Sequence, residues 1–273
     1  MIFCCPLCKK ELKETGNTLR CKNGHAFDRA KEGYINLLLV QHKHARAPGD
    51  SAEMLASRRR FLESGAYRLF SDGINELARE ALHNVKEPVV LDAGCGEGYY
   101  GARLAGALRA DGLRPQAAGF DISKAAAKSA AKKGGAEIAV ASCFQVPVAD
   151  GRVDFQLSVF APIVPGELRR VMRPGGRLVL AVPGPEHLWG MKEILYEKPY
   201  KNERQETAYP GFAFEKRIML SDVLRVKGGA VRDLFAMTPY YWKTPREGRE
   251  KLERCAELET SIAFDLLCYK AVE

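Results

Sequence analysis

The stretch LDAGCGEGYY, residues 91–100, places three alternating glycines between an aspartate and the start of a helical pattern. Asp92 ends a short β-branched run, and Gly94, Gly96 and Gly98 follow it in the turn. Glycines let the backbone turn sharply and let a ligand approach closely, while the first turn of the next helix offers free N–H groups to an anion. The stretch therefore predicts a strand, a turn and a helix that together hold a nucleoside cofactor.

Strand and helix patterns alternate along the chain on both sides of this turn. Short apolar, β-branched runs are separated by segments with helical spacing, such as YYGARLAGALRA at 99–110 and SKAAAKSAAKKG at 123–134. Such alternation predicts a parallel sheet covered on both faces, which is a doubly wound, Rossmann-like α/β fold. The predicted strands are PVVLD (88–92), QAAGFD (116–121), AEIAVAS (136–142), VDFQLSVF (153–160) and PGGRLVLAVP (174–183).

Two helices are predicted before the glycine turn. Asp50 followed by Glu53 has the spacing of a capping box, which predicts that a helix starts at Asp50. Apolar residues recur on one face of that helix, and Gly65 marks its end. The apolar residues between Phe70 and Ala81 predict the second helix.

The choice of cofactor depends on what surrounds the glycines. GEGYYG at 96–101 matches the dinucleotide pattern G-x-G-x-x-G, and Asp121, at the end of the next strand, would accept ribose hydroxyls in either class of enzyme. The spacing D-x-G-x-G-x-G from Asp92 resembles motif I of class I S-adenosylmethionine-dependent methyltransferases. The segments at 146–162 and 168–183 resemble the fourth and later motifs of that class. The sequence therefore favours a methyltransferase over a dehydrogenase.

A metal site is predicted near the start of the chain. Cys5 and Cys8 are two residues apart, and Cys21 and His25 are three residues apart with Gly24 between them. Each short gap lets two side chains face one tetrahedral ion, so the four together predict a structural zinc with no open coordination position. Cys4 is a weaker alternative to Cys5 because its gap to Cys8 is wider.

Composition limits the class of protein. The 273 residues carry a formal charge of +8, and residues 1–46 hold nine Lys or Arg against four Asp or Glu. No apolar run approaches the roughly 20 residues of a membrane helix, and eight cysteines without a secretory leader are read as thiols rather than disulfides. We expect a cytoplasmic protein with a polyanionic partner, composed of a zinc-binding module with its linker at 1–46 and a methyltransferase domain at 47–273.

The chain resembles one family along essentially its whole length: the bacterial 23S ribosomal RNA (guanine-N(1)-)-methyltransferases, which contain zinc. The resemblance implies transfer of a methyl group from S-adenosylmethionine to ring nitrogen 1 of a guanine in a hairpin of 23S rRNA. It also implies a homodimer and an RNA-recognition role for the module at 1–46. The class I methyltransferase fold typically has an antiparallel hairpin, which the late segments TPYYWK and SIAFDLLCYKA would supply. The residues that carry it are CPLC, CKNGHAFDRAKEGYINLL, QHKHARAPGDSAEM, RRRFLESGAY, LDAGCGEGYY and PGPEHL.

The resemblance also assigns site residues. It gives zinc to Cys5, Cys8, Cys21 and His25, and the cofactor to Tyr67, Gly96, Glu97 and His187, in addition to the motif residues Asp92, Gly94, Gly98 and Asp121. Taken alone, Tyr67 and His187 have the sequence environment of structural residues. No general base is assigned.

Contacts with the substrate are less constrained by the sequence. Phe160, in Phe-Ala-Pro after a predicted strand, is either a stacking partner for the base or a core residue. Lys43, Arg46 and the arginines at 58–60 are candidates for phosphate contacts, although the triplet is equally compatible with a core edge and two solvated side chains. Two other functions stay open here: a small-molecule methyltransferase with a stabilising zinc, and a non-catalytic RNA-binding protein.

Overall fold

A computed structural model describes residues 1–39 and 49–273 of the chain. The fold contains two sheets. One is a small antiparallel sheet near the amino terminus, in the order β1-β2-β3, and the other is a mixed eight-stranded sheet flanked by helices. The small sheet consists of β1 (Leu12–Thr15), β2 (Thr18–Cys21) and β3 (Ala26–Asp28). The large sheet consists of β4 (Ile35–Asn36), β5 (Val89–Ala93), β6 (Gln116–Asp121), β7 (Glu137–Val140), β8 (Val153–Val159), β9 (Met172–Pro183), β10 (Phe212–Lys227) and β11 (Glu257–Ala271).

The strand order of the large sheet is β10-β11-β9-β8-β5-β6-β7-β4. The pairs from β4 to β9 are parallel, whereas β11 is antiparallel to β9 and β10 is antiparallel to β11. The predicted strands are confirmed, and the carboxyl ends of β5, β6 and β8 therefore meet at one edge of the sheet. The order reverses at β5, and in open α/β sheets ligands bind at such a switch point.

The helices cover both faces of the sheet, as the strand–helix alternation predicts. All five residues of β5 are buried, which is expected of a strand in the middle of a parallel sheet. The helices are α1 (Ala52–Glu63), α2 (Arg68–Leu82), α3 (Tyr99–Ala110), α4 (Lys124–Lys133), α5 (Pro165–Val171), α6 (Trp189–Leu195), α7 (Gly229–Ala236), α8 (Tyr240–Lys243) and α9 (Arg246–Glu253).

The amino-terminal sheet packs directly on the large sheet. Ile2, Phe3, Leu12 and Leu19 are buried in one hydrophobic cluster with side chains of β5 to β9. The Cys4 N–H donates to the Pro147 carbonyl at 2.8 Å, and β4 extends the large sheet by pairing with β7. The division of the chain at residue 46 stays a prediction, because that position lies outside the described residues.

Two predicted elements differ from the structure. The first helix is capped by Ser51, whose Oγ accepts the Met54 N–H at 3.2 Å, whereas the Asp50 carboxylate is engaged by Arg58 instead. TPYYWK is not a strand: Tyr240–Lys243 forms α8, which begins after Pro239. Proline lacks the N–H that a ladder needs, and the partner of β11 is the long β10.

Candidate functional site

The glycine turn connects β5 to α3 at the carboxyl edge of the sheet. Gly94 and Gly98 have φ values of 75° and 83°, which lie in the left-handed region. A Cβ at Gly94 would collide with the side chain of Ala161, and one at Gly98 would lie 2.9 Å from the Cβ of Ala130. The turn therefore needs glycine both for its backbone conformation and for its close contacts with Ala161 and with helix α4.

Asp92 lies at the base of this turn and is only 4% exposed. Neither of its carboxylate oxygens has a hydrogen-bond partner among the described residues. Burial raises the pKa of Asp92 to about 7, the nearby Gly101 N–H opposes this rise, and the carboxylates of Asp121 and Glu97 add to it. A buried carboxylate without donors is costly unless a ligand satisfies it, so Asp92 fits a cationic or hydroxyl-bearing ligand.

Glu97 and Asp121 complete the acidic lining of the turn. Glu97 is buried, and its Oε2 lies 3.2 Å from Lys133 Nζ, which opposes the upward shift in pKa that burial causes. Asp121 ends β6, where its Oδ2 accepts the Gly96 N–H at 3.0 Å and its Oδ1 accepts the Ser123 N–H at 2.8 Å. Each carboxylate oxygen has a second lone pair, so Asp121 can fix the turn and still accept a ribose hydroxyl.

Tyr67 and His187 lie together in an aromatic cluster beside the turn. The centroid of the Tyr67 ring lies 4.9 Å from that of Phe264 and 6.1 Å from that of His187. The buried Tyr67 hydroxyl has no hydrogen-bond partner among the described residues. His187 Nδ1 accepts the Ala263 N–H at 3.3 Å, and burial lowers the pKa of His187 to about 3. The imidazole is therefore neutral, with its proton on Nε2.

Phe160 connects this cluster to the glycine turn. It directly precedes Ala161, the residue that approaches Gly94, and its ring lies 6.1 Å from His187. The side chain is 47% exposed and the backbone has a φ of 53°, which is uncommon for a residue other than glycine. The structure therefore presents Phe160 at the rim of the site rather than in the core.

The three consecutive arginines of α1 have different surroundings. Arg58 lies beside Gly96 and is paired with Asp50, whereas Arg59 pairs with Glu63 and Arg60 pairs with Asp233. Neither Asp50 nor Arg58 was predicted to lie at this site, because nothing in the local pattern indicates where α1 packs. The predicted RNA contacts Lys43 and Arg46 lie outside the described residues.

The four predicted zinc ligands come together at the end of the small sheet where β1 and β3 begin and β2 ends. One donor atom from each of Cys5, Cys8, Cys21 and His25 lies within 4.8 Å of the other three. His25 Nδ1 is 3.4 Å from the sulfurs of both Cys5 and Cys21, and the sulfurs of Cys8 and Cys21 are 3.6 Å apart. Tetrahedral zinc, with bonds of about 2.3 Å to sulfur and 2.0 Å to nitrogen, needs ligand atoms roughly 3.5–3.8 Å apart. The cluster therefore fits zinc, and Cys4 lies outside it.

Two family models match separate parts of the chain. Residues 3–46 match the model of an RlmA amino-terminal zinc ribbon, and residues 90–176 match a methyltransferase domain. Within the parts of the chain that the structure describes, no helix has the length and apolar character that a membrane crossing requires.

Two relatives are similar over larger parts of the chain, one of them over nearly its full length. The 23S rRNA (guanine(748)-N(1))-methyltransferase of Streptomyces fradiae is 35% identical over 93% of this chain and 90% of its own length. A protein of Micromonospora griseorubida, named "Putative 23S rRNA (guanine-N(1)-)-methyltransferase", is 37% identical over 73% of this chain and 72% of its own. The matches to a zinc ribbon and to a methyltransferase domain agree with the sequence identity to these two relatives. The chain belongs to the 23S rRNA (guanine-N(1)-)-methyltransferase family.

Proposed function

We propose that this enzyme transfers a methyl group from S-adenosylmethionine to ring nitrogen 1 of a guanine in a hairpin of 23S rRNA. The observation that carries the proposal is the buried Asp92, whose oxygens lack donors among the described residues beside a glycine turn of methyltransferase spacing. The family to which the chain belongs supports the choice of RNA and of guanine. We propose that the cofactor is held by the predicted residues Tyr67, Asp92, Gly94, Gly96, Glu97, Gly98, Asp121 and His187.

S-adenosylmethionine supplies a methyl group activated by a sulfonium centre. The chain would contribute mainly position: Asp92 would attract the positive methionine end, and Asp121 would orient the ribose. Tyr67 and the neutral His187 would add aromatic surface that excludes water. Holding donor and acceptor in line in this way can lower the barrier by about 7–11 kcal/mol. The guanine loses its N1 proton in the same reaction, and no residue is assigned as the base.

The target guanine must leave its stack to reach the methyl group, at a cost of a few kcal/mol. Phe160 presents a half-exposed ring at the carboxyl edge of the sheet, next to Ala161 and His187. We infer that the extruded base stacks on this ring. A ring nitrogen does not require the Asn/Asp-Pro-Pro-aromatic motif that serves an exocyclic adenine amine, and the chain has Phe160-Ala161-Pro162 at that place.

We also propose that the zinc ribbon grips the RNA. The proposed ligands Cys5, Cys8, Cys21 and His25 leave no open position for catalysis, so the metal would hold the ribbon in shape. The exposed basic side chains Lys10, Lys13, Arg20 and Lys22 lie on or beside its strands and would contact phosphates. Lys43 and Arg46 stay predicted contacts of the linker.

Two further proposals concern the setting of the enzyme. A cytoplasmic location is consistent with the eight cysteines, all of which lie in the described residues and none of which forms a disulfide. A homodimer rests on the family resemblance, and sedimentation equilibrium at micromolar concentration would test it.

The decisive experiment offers the enzyme a labelled methyl donor with three substrates: unmodified 23S rRNA, the same RNA with the methylated guanine changed to adenine, and a metabolite extract. The proposal predicts label in the first RNA only, together with a primer-extension stop at one guanine. Label in the extract alone would indicate a small-molecule methyltransferase. RNA binding without any transfer would indicate a non-catalytic protein.

A further inference from the structure

One arginine of α1 lies against the glycine turn. A Cβ built on Gly96 would be 3.5 Å from Arg58 Nη1, so the guanidinium lies beside the turn, where a side chain at this position would touch it. Only a quarter of the Arg58 side chain is exposed. A charged group placed at the backbone of a cofactor turn is positioned to touch what the turn holds.

The structure fixes Arg58 from two directions. Nη1 is paired with the Asp50 carboxylate, and Nη2 donates to the Met237 carbonyl at 3.3 Å. Asp50 is itself held, because its backbone carbonyl accepts a hydrogen bond from Ser123 Oγ at 3.2 Å. Two of the five guanidinium N–H groups are thus engaged with described residues, which leaves donors for a ligand. The arrangement is a pre-positioned cation rather than a mobile surface side chain.

The charges around the turn need a cation at this place. Four carboxylates lie close to it: those of Asp50, Asp92, Glu97 and Asp121. Lys133 faces Glu97 from outside and is shared with Glu63, at 3.2 and 3.3 Å. Arg58 is the other cation close enough to oppose the upward pKa shift of buried Glu97.

The cofactor has a matching distribution of charge. Its sulfonium and its ammonium are cations that suit the acidic groups, whereas its α-carboxylate needs donors. The first turn of α3 supplies backbone N–H groups, and Arg58 is near enough to that turn to oppose the pKa rise that burial causes at Tyr100. A guanidinium binds a carboxylate with two parallel hydrogen bonds, which makes it a strong and directional partner.

We propose that Arg58 binds the α-carboxylate of the cofactor, with Asp50 as the positioning residue that holds the guanidinium over Gly96. Helix α1 is then a wall of the cofactor site and not an RNA-binding element at this position. The inference concerns the cofactor alone, so it can hold whichever RNA the enzyme methylates.

The test compares two ligands by calorimetry, without RNA. S-adenosylhomocysteine has the α-carboxylate, whereas methylthioadenosine lacks the whole amino-acid part. In Arg58→Gln the affinity for S-adenosylhomocysteine should fall about 10- to 100-fold, as expected for removal of a charge-assisted hydrogen bond, and the affinity for methylthioadenosine should change less than about twofold. Arg59→Gln is the matched control, because Arg59 is the next residue in the helix and pairs with Glu63. The Arg59→Gln enzyme should bind both ligands as the unmodified enzyme does.

Equal weakening of the two ligands in Arg58→Gln would overturn the proposal, since Arg58 would then merely support the turn. Unchanged binding of S-adenosylhomocysteine would overturn it as well. If Arg58→Gln does not fold, Arg58→Lys decides the question: it keeps the charge without the two-pronged geometry. That variant should lose part of the affinity for S-adenosylhomocysteine and none for methylthioadenosine. An enzyme that passes this test but leaves 23S rRNA unmethylated refutes the proposed substrate only.

Discussion

Asp92 is a carboxyl group that the fold buries without a donor to either oxygen among the described residues. Its pKa is about 7 in the folded chain, against an ordinary value of 3.8. Between these two pH values the unfolded chain loses the proton and the folded chain keeps it, so stability falls as pH rises and stays constant above about pH 7. The slope is at most about 1.4 kcal/mol per pH unit.

We therefore expect Asp92→Asn to stabilise the ligand-free enzyme, and to do so more at pH 8 than at pH 5. The amide has no charge to desolvate, so it avoids the cost that Asp92 incurs once it ionises. Urea unfolding at both pH values measures the difference, with the exposed Asp222→Asn as control. A gain that is the same at pH 5 and pH 8 would contradict the assigned ionisation of Asp92. The same variant should bind S-adenosylhomocysteine less tightly, because the stability is gained at a ligand contact.

Phe160 provides a test of base stacking. Leucine in its place keeps the apolar volume but removes the aromatic face, so Phe160→Leu should lower kcat/KM for RNA about 10-fold or more while leaving S-adenosylhomocysteine affinity unchanged. Phe160→Tyr should retain most of the activity. Phe214→Leu is the control, because Phe214 is also a partly exposed phenylalanine but lies on β10. Its partner on β11 is Tyr269, which pairs in turn with Leu178, five positions before the carboxyl end of β9. Loss of cofactor binding in Phe160→Leu would argue that the ring supports the cofactor instead.

Individual residues differ in how far the sequence could reveal them. A strand–turn–helix unit requires particular residues at particular positions, here Gly94, Gly98 and Asp121. Because this requirement is local, the sequence pattern reveals these residues. Arg58 reaches the same turn from a helix that begins more than forty residues earlier, and only tertiary packing brings it there. Asp50 was predicted as a helix cap because its spacing to Glu53 fits one, but its pairing with Arg58 takes it out of that role.

Among the larger elements, the buried ones were predicted better than the exposed ones. The run at 88–92 is apolar because β5 is covered on both faces, so its strand is evident from the sequence. In contrast, β10 is an edge strand with mostly exposed residues, and its pattern has no clear alternation between apolar and polar positions. The aromatic run before Pro245 resembled a strand instead, although the flanking prolines favour a short helix.

The zinc ribbon is an element whose ligands can be tested one by one. We expect one zinc per chain in the purified enzyme, and loss of most of it in Cys8→Ser, because three remaining ligands bind the ion less tightly and serine is a poor ligand. Cys4→Ser should keep the metal, since Cys4 lies outside the cluster of four. Mass spectrometry of the metal content measures both. Zinc loss in Cys4→Ser with retention in Cys5→Ser would reverse the assignment of the first ligand.

In the whole chain, the composition predicts two separate modules, whereas the packing joins them. A basic, metal-binding front followed by alternating strands predicts two modules, yet Phe3 and Leu19 share a core with the large sheet, and the Ile2 N–H donates to Glu137 at 2.9 Å. These contacts join residues far apart in sequence, so no local pattern contains them. Deleting residues 1–46 would therefore expose apolar surface of the catalytic part and would not isolate the RNA contribution.

Removing charge, rather than residues, tests the grip on RNA in the intact enzyme. Each phosphate that the protein no longer neutralises should reduce the slope of log affinity against log salt by about 0.7–0.9. Lys10→Gln, Lys13→Gln and Lys22→Gln together should therefore weaken RNA binding and flatten the slope by roughly 2 to 3. The matched control removes the exposed charges of Lys86, Arg114 and Arg152, which precede β5, β6 and β8 and so lie at the amino ends of these parallel strands, opposite the catalytic edge. Filter binding of the hairpin RNA between roughly 50 and 300 mM salt gives both slopes.

The control variant should bind RNA almost as the unmodified enzyme does, since the charges that it lacks face away from a base held at the carboxyl edge. Equal effects of the two triple variants would mean that the net charge, and not the zinc ribbon, attracts the RNA.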